Sequence, residues 1–184
     1  MLKLKKIASV FLMLVVMVSA SGVFMEDSFA NSSTTKTGRV NYNDLREPSD
    51  LNAKDLESLL SHLPEMKGLG KSFAKAEKDY GVNAIFLMSL ARHESGNATS
   101  WLAENNNNLY GYKGKGAKGY RHFETKDECI QTVAKALKEN YLTKGGKYFS
   151  GYDLKSVNSR YAEDPQWSTK VISVSRGMTK RTFD

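Results

Sequence analysis

Apolar residues recur every three to four positions through most of the chain beyond residue 50, which is the spacing of amphipathic helices. The longest stripe follows Thr125, which stands three residues before Glu128 as in a capping box. Gly81 stands where one stripe stops, and Asn83 stands where the next begins. Helix starts are expected at Asn52, after the glycines at 68 and 70, at Asn83, Ser100, Thr125 and Asp153, and at the Asp164-Pro165 pair. The pattern predicts a mainly helical chain.

The segment AIFLMSLARHE, from Ala84 to Glu94, is apolar on nearly every side. Such a helix is buried at the centre of a domain rather than lying on its surface. Glu94 stands at its C-terminal end, where the helix dipole costs a carboxylate up to about 1 kcal/mol. We expect Glu94 to be partly withdrawn from water, which favours a neutral carboxyl group that can donate a proton. The alternative is a structural role in which Glu94 pairs with Arg92, a lysine or a loop amide.

Asparagines at 105 to 108 and the glycines that follow interrupt the helical pattern. The segment predicts a loop or small hairpin around Tyr110 to Phe123, with no longer strand pattern elsewhere. Its basic side chains are Lys113, Lys115, Lys118 and Arg121. Such a basic rim either binds carboxylates and anionic polymers or is only a solvated loop. The predicted fold class is therefore mainly α, a single helical domain with a short loop or β-hairpin lobe.

The first thirty residues have the pattern of an export signal. Three lysines precede an uncharged apolar run, and the small residues of Ser28-Phe29-Ala30 mark a cleavage site. Val18-Ser19-Ala20 offers a second site, and the uncharged run is long enough to remain as a membrane anchor. The expected organisation is a signal peptide over 1–30, a flexible leader over 31–41 and one domain over 42–184. The mature protein is predicted to be secreted.

The composition supports one packed domain, with 184 residues of which 40% are hydrophobic and 26% charged. The single cysteine, Cys129, excludes an intramolecular disulfide and zinc sites that need several cysteines. Its helical position suggests a small buried hydrophobe. His62, His93 and His122 do not have metal-ligand spacing. No metal or other cofactor is expected.

The formal net charge is +7, and the chain stays basic without its first thirty residues. A positive potential favours binding to the anionic polymers of a cell wall or to a membrane surface. Nucleic acid is disfavoured as a partner because the protein is expected to be exported and has no basic-aromatic reader motif. Membrane contact is expected only if the N-terminal segment is not cleaved.

The stretch from Tyr80 to Gly114, YGVNAIFLMSLARHESGNATSWLAENNNNLYGYKG, resembles the signature of the glucosaminidase domain of bacterial autolysins. Downstream, FETKDECIQTVAKALKENYL and RYAEDPQWSTKV are similar to the closing helices of that domain. The resemblance covers residues from about Tyr42 to Ile172. It implies a glycoside hydrolase with an α+β lysozyme-like fold, in which the hairpin lobe lies beside a cleft that binds peptidoglycan glycan strands.

The resemblance also implies roles for single residues. Glu94 matches the catalytic acid of the family's Glu-Ser/Thr-Gly motif, and Tyr161 matches a tyrosine of the same cleft. The alternative for Tyr161 is a packed residue at a helix junction, with its hydroxyl on a backbone carbonyl. Amides bond acetamido and hydroxyl groups, and aromatic rings pack on sugar faces. The substrate-binding residues implied in this way are Asn107, Asn108, Tyr110 and Tyr112.

The sequence departs from fuller members of that family at the second carboxylate. Many of them carry an acid in a longer hairpin, whereas Gly111 to Tyr120 contains none. Glycosidases usually need a pair of carboxyl groups. Glu124 and Asp164 are candidates, although each has a structural role as its alternative. We favour a third option, in which the substrate's own 2-acetamido group assists and Tyr161 orients it or stabilises developing positive charge.

The function implied is that of a secreted, monomeric peptidoglycan hydrolase of the cell wall. It would cleave the glycosidic bond after N-acetylglucosamine, with Glu94 as general acid. One alternative is a lytic transglycosylase, in which the muramic 6-hydroxyl rather than water captures the intermediate. The other alternative is a wall-binding module that has kept the cleft but lost turnover.

Overall fold

The computed structural model describes residues 38–183 and forms seven α-helices in that range. They are α1 (Ala53–Leu60), α2 (Gly70–Tyr80), α3 (Ala84–Ser95), α4 (Trp101–Asn106), α5 (Lys126–Asn140), α6 (Leu154–Tyr161) and α7 (Trp167–Phe183). An isolated antiparallel β-bridge joins Lys113 to Tyr120. The predicted mainly α fold is confirmed. The predicted signal peptide and residues 31–37 of the leader lie outside the described residues.

Caps that the sequence predicts set the limits of the helices. The Asn52 side chain accepts a hydrogen bond from the Asp55 amide (3.0 Å), and Asp55 Oδ2 accepts one from the Asn52 amide (3.2 Å). Gly81 ends α2 in the left-handed conformation (φ +61°), which glycine adopts without a steric penalty. Asn83 Oδ1 accepts from the Phe86 amide (3.0 Å) and starts α3. None of the helices in residues 38–183 is long and apolar enough to span a membrane.

The helix α3 is the centre of the domain, as its apolar sequence predicts. Every residue from Ala84 to Ala91 is buried, with α2 and α7 packed against it. Asn83 fixes the start of the helix by donating hydrogen bonds to the carbonyls of Arg39 and Glu47 (both 2.9 Å). The chain around residue 39, predicted as the end of the leader, is therefore tied to the core helix.

The last helix begins at Trp167, two residues later than the Pro165 start that the sequence suggests. Asp164 Oδ1 accepts from the Gln166 amide (2.8 Å), and the Asp164 carbonyl accepts from the Trp167 amide (3.1 Å). These bonds form a turn around Pro165 before the helix starts. The turn places Trp167 at the first position of α7.

The predicted hairpin is a tight loop with little strand character. The Gly114 amide donates to the Gly119 carbonyl (3.0 Å) across the loop. A Cβ atom on Gly116 would lie 2.1 Å from the Tyr120 carbonyl oxygen, so only glycine fits there. The chain reverses so sharply that one bridge forms instead of a ladder.

Cys129 is buried in α5, where its Sγ accepts a hydrogen bond from the Leu109 amide (3.4 Å). Burial raises the pKa of the thiol to about 12. A thiol that stays protonated is a poor nucleophile. The prediction of a small buried hydrophobe at this position is confirmed.

Candidate active site

A groove of about 800 Å³ opens at the C-terminal end of α3. The loop over residues 111–120, α5 and the turn between α6 and α7 form its other sides. The volume is in the range of ligand-binding clefts. Of the site residues predicted from the sequence, the groove lining includes Glu94, Tyr110, Tyr112, Tyr161 and Asp164. Asn107, Asn108 and Glu124 are not part of it.

Glu94 lies on the last turn of α3 and lines the groove. Trp167 Nε1 donates a hydrogen bond of 2.8 Å to Glu94 Oε1. Within residues 38–183, Glu94 forms no ion pair, and its Oε2 has no hydrogen-bond partner. The residue is exposed, in contrast to the partial withdrawal from water expected from the buried helix. The reason is that α3 ends at the open rim of the groove, where Gly96 turns the chain away (φ +59°).

Trp167 is the site residue that the sequence interpretation missed. It is only 3% exposed, so its indole is held on nearly all sides. Asn158 of α6 donates to the Asp164 carbonyl (3.1 Å) and accepts from the Ser168 amide (3.2 Å), which joins α6 to the start of α7. The indole therefore approaches Glu94 from a fixed turn. The sequence signal was a tryptophan two residues after the proline of the RYAEDPQWSTKV segment.

Four aromatic side chains form a continuous row along one side of the groove. In order they are Tyr148, Tyr141, Tyr161 and Trp167, with successive ring centroids 5.1, 5.7 and 5.0 Å apart. The row, here called the aromatic wall, ends at Glu94 through the indole N–H. Aromatic faces pack well against the apolar faces of sugar rings. The wall is therefore suited to a glycan chain.

Tyr161 lies half-buried in the middle of the aromatic wall. Burial raises the pKa of its phenol well above the usual range, and the nearby Glu94 carboxylate raises that pKa further. In the described part of the chain, the Tyr161 hydroxyl makes no hydrogen bond to a backbone carbonyl or to any other group. Tyr161 therefore presents a neutral O–H donor close to Glu94.

Tyr110 and Tyr112 occupy different depths of the groove. Tyr110 is 4% exposed, and its hydroxyl donates to the Leu87 carbonyl of α3 (3.2 Å). Tyr112 is half-buried and packs edge-on against Phe123, with ring centroids 6.1 Å apart. Tyr110 therefore forms part of the floor, and Tyr112 has the more accessible ring.

Asn107 and Asn108 hold the loop in place and do not line the groove. Asn108 is 1% exposed, and its Nδ2 donates to the carbonyls of Tyr112 and Arg121 (both 2.9 Å). Its Oδ1 accepts from the Tyr112 amide (2.8 Å). Asn107 ends α4 in the left-handed conformation (φ +50°) and donates to the Phe123 carbonyl (3.0 Å). The amide groups predicted to bind sugar are thus engaged by the protein's own backbone.

The two candidate second carboxylates lie in different environments. Asp164 lines the groove, but its Oδ1 accepts from the Gln166 amide (2.8 Å) and its Oδ2 from Lys170 Nζ (2.6 Å). The bond from Lys170, followed by the one from Gln166, lowers the pKa of Asp164. Glu124 is exposed outside the groove. Among residues 38–183, no three His, Cys, Asp or Glu side chains are placed to hold a metal ion.

The loop carries a basic residue into the groove. Lys113 Nζ lies 3.8 Å from the centroid of the Tyr120 ring, and both residues line the groove. Arg121 is paired instead with Glu128 (2.7 Å). The ring attracts the ammonium group but carries no net charge, so it does not neutralise the lysine as a carboxylate would. Lys113 therefore gives this side of the groove a positive charge.

Comparison with known sequences gives one family. The family model for glucosaminidase, described as mannosyl-glycoprotein endo-beta-N-acetylglucosaminidase, matches residues 70–180. A Streptococcus pneumoniae protein, named as a candidate endo-beta-N-acetylglucosaminidase, is 31% identical over 140 residues. The match covers 72% of this chain and 21% of the relative, so the chain spans about a fifth of the length of that relative.

Solved structures share the fold. The crystal structure of Staphylococcus aureus autolysin E in complex with the muropeptide NAM-L-Ala-D-iGlu has a TM-score of 0.64 and 23% identity, and the match covers 80% of this chain and 75% of that chain. A catalytic glutamate-to-alanine mutant of the same autolysin, in complex with the disaccharide NAG-NAM, has a TM-score of 0.64 and 22% identity, with 79% and 76% covered. At these identities the likeness shows the fold alone.

Proposed function

This chain belongs to the glucosaminidase family, and from that premise we propose that it is a peptidoglycan hydrolase that cleaves the glycosidic bond after N-acetylglucosamine. The surroundings of Glu94 carry the proposal. Glu94 lines a groove of about 800 Å³, accepts a hydrogen bond from a buried tryptophan and lies close to a neutral tyrosine hydroxyl. The muropeptide and the NAG-NAM disaccharide bound by autolysin E, which has the same fold, belong to the proposed substrate class.

In the proposed reaction the glycan lies along the aromatic wall with the scissile oxygen next to Glu94. Glu94 Oε2 donates its proton to that oxygen as the bond to the anomeric carbon breaks, which leaves a neutral alcohol. Positive charge then develops on the sugar ring. The Glu94 carboxylate is left to take a proton from the water that completes hydrolysis.

The second catalytic group is proposed to come from the substrate. Asp164 is engaged by Gln166 and Lys170, so Glu94 is the acid in the described groove that has a free oxygen. The 2-acetamido oxygen of N-acetylglucosamine bonds to the anomeric carbon as the leaving oxygen departs, which closes a five-membered ring on the sugar. Water later attacks the anomeric carbon and opens that five-membered ring. In this proposal Tyr161 donates a hydrogen bond that orients this group, or it stabilises the developing positive charge.

We propose that residues 42–184 form the catalytic domain and that the protein acts outside the cell, at the wall. The export pattern of residues 1–30 supports secretion. The net charge of +7 supports retention among anionic wall polymers.

The test is a digest of purified peptidoglycan whose products are reduced and whose new ends are identified by mass. We expect reduced N-acetylglucosamine ends. Glu94→Gln keeps the size of the side chain and an oxygen that can accept from Trp167, but it removes the proton donor. Turnover should fall by a factor of about 10³, within the usual contribution of a general acid. Glu124→Gln, which neutralises an exposed acid outside the groove, is the matched control and should keep full activity.

Two other results would replace the proposal. Anhydro-muramic ends would identify a lytic transglycosylase, a candidate favoured by the engaged state of Asp164, because that reaction needs one free acid. Binding to the wall without release of products would identify a wall-binding module. Normal digestion by Glu94→Gln would remove Glu94 from the mechanism.

A further inference from the structure

The hydrogen bond between Trp167 and Glu94 joins residues on different helices and is the contact that a buried indole makes with the groove acid. Trp167 is 3% exposed, and its ring packs on Tyr161 with centroids 5.0 Å apart. Asn158 fixes the turn from which the indole projects. The N–H is therefore held in one direction while the Glu94 side chain stands at an open rim.

The chemistry of the indole group makes this bond asymmetric. An indole nitrogen donates a hydrogen bond and cannot accept one. Glu94 Oε1 must therefore remain an acceptor whether the carboxyl group is charged or neutral. Because the carbonyl oxygen of a carboxyl group is a better acceptor than its hydroxyl oxygen, a proton on Glu94 favours Oε2, which has no partner among the described residues.

We propose that Trp167 is a positioning residue of this site, which holds Glu94 Oε1 as an acceptor and so confines the transferable proton to Oε2. The inference rests on the proposed function of Glu94 as general acid. Without the indole, the carboxyl group can rotate at the open rim, and the proton is shared between two oxygens. Proton donation then requires an orientation that is populated only part of the time.

Two changes at position 167 and one control test this role of the indole N–H. Trp167→Phe keeps a ring against Tyr161 and removes the N–H. Incorporation of benzothienylalanine at position 167 keeps the two-ring shape and replaces the N–H by sulfur. Both changes should lower kcat by about 10²-fold, the size of effect seen when a reacting group is slightly misplaced. KM should change little, because the bond is not to the substrate and Trp167, at 3% exposed, offers it little surface. Trp101→Phe, at the half-exposed second tryptophan, is the control and should not change kcat.

A spectroscopic measurement tests the bond without turnover. The chain has two tryptophans, so a ¹⁵N-labelled sample gives two indole N–H signals, and Trp101→Phe assigns them. The Trp167 signal should move on Glu94→Gln, because a neutral amide oxygen replaces a carboxylate as acceptor. The Trp101 signal should stay in place.

The proposal would be overturned if the folded benzothienylalanine protein had the wild-type kcat. It would also be overturned if the indole N–H signal of Trp167 did not shift on Glu94→Gln. If Trp167→Phe does not fold, the isosteric residue still decides the question. If the wild-type protein hydrolyses no peptidoglycan, the proposed function fails, and the indole signal still decides whether Trp167 holds Glu94.

Discussion

The two sides of the groove are built in different ways. The aromatic wall consists of rings in mutual contact on α6 and α7 and in the segment between α5 and α6, and it is fixed by packing. The facing side, here called the loop wall, consists of residues 111–120, which are rich in glycine and lysine and mostly exposed. Hydrogen bonds that the Asn108 side chain donates to the Tyr112 and Arg121 carbonyls hold it.

This difference separates two tasks. Groups that transfer a proton need positions fixed within a fraction of an ångström, and packing on helices supplies that. Glu94, Tyr161 and Trp167 are all at the aromatic wall or bonded to it. The loop wall offers Tyr112 and a cation, which suit substrate recognition. Changes at the aromatic wall should therefore alter kcat, and changes at the loop wall should alter stability and KM.

The largest effect expected after loss of Glu94 itself is at Tyr161. Tyr161→Phe removes a hydroxyl that has no partner in residues 38–183 and leaves its packing intact, so the melting temperature should hardly change. We expect kcat to fall about 100-fold, equivalent to about 2.7 kcal/mol of transition-state stabilisation. Initial rates on solubilised glycan strands measure it.

Tyr141→Phe is the matched control for that change. It removes the hydroxyl of the neighbouring ring in the same wall, and it should keep kcat within about threefold because Tyr141 is one ring further from the indole that binds Glu94. Equal losses in the two variants would show that the wall acts as a unit and that Tyr161 has no special role.

At the loop wall, the largest effect should be on stability. Asn108→Ala removes the side-chain donor to the Arg121 carbonyl, one of the two donors to the Tyr112 carbonyl, and the acceptor of the Tyr112 amide. It should cost about 2 kcal/mol. For a domain of this size the melting temperature should fall by roughly 4–8 °C. Asn105→Ala, at an exposed residue bonded within its own helix turn, should cost far less. An Asn108→Ala protein that keeps its melting temperature but has a raised KM would instead support the predicted role of Asn108 in sugar binding.

The sequence pattern predicts the helical frame well because its signals are local. Asn52, Asn83 and Thr125 cap the helices that they precede, and the uniformly apolar segment from Ala84 forms the central helix. The resemblance to autolysin glucosaminidases predicts Glu94 and Tyr161 as site residues, and both line the groove.

The contacts that the sequence could not predict are long-range or depend on direction. Trp167 and Glu94 are 73 positions apart, and no periodicity connects them. Asn108 looks like a binding residue in sequence because it is polar and follows other asparagines. Its side chain points to the backbone of the loop, a direction that composition does not encode.

A smaller effect is expected from the charge of the loop wall. Lys113→Gln should raise KM about two- to fivefold for glycan that carries peptide carboxylates, the range of an exposed ion pair, and added salt should remove the difference. Uncharged chitin oligosaccharides should show no change. Lys115→Gln, at an exposed lysine outside the groove lining, is the control. An equal rise for both variants would assign the effect to net charge and not to the groove.

The smallest effect is expected at Asp164, the acid of the aromatic side that is already engaged. If its bonds to Lys170 and Gln166 are its whole role, Asp164→Asn keeps kcat within about twofold, because exposed pairs contribute little.

These bonds lower the pKa of Asp164 from its usual 3.8, so their stabilisation is present above pH 3.8 and is lost as the pH falls through the lowered pKa. Lys170→Gln breaks the same ion pair without touching the carboxylate, so it should match Asp164→Asn in kcat. It should keep the smaller part of the pH dependence of the melting temperature, which the bond from the Gln166 amide contributes and which Asp164→Asn removes. A loss of kcat of about 10²-fold or more in Asp164→Asn alone would make Asp164 the second catalytic carboxylate and would end the case for assistance by the substrate.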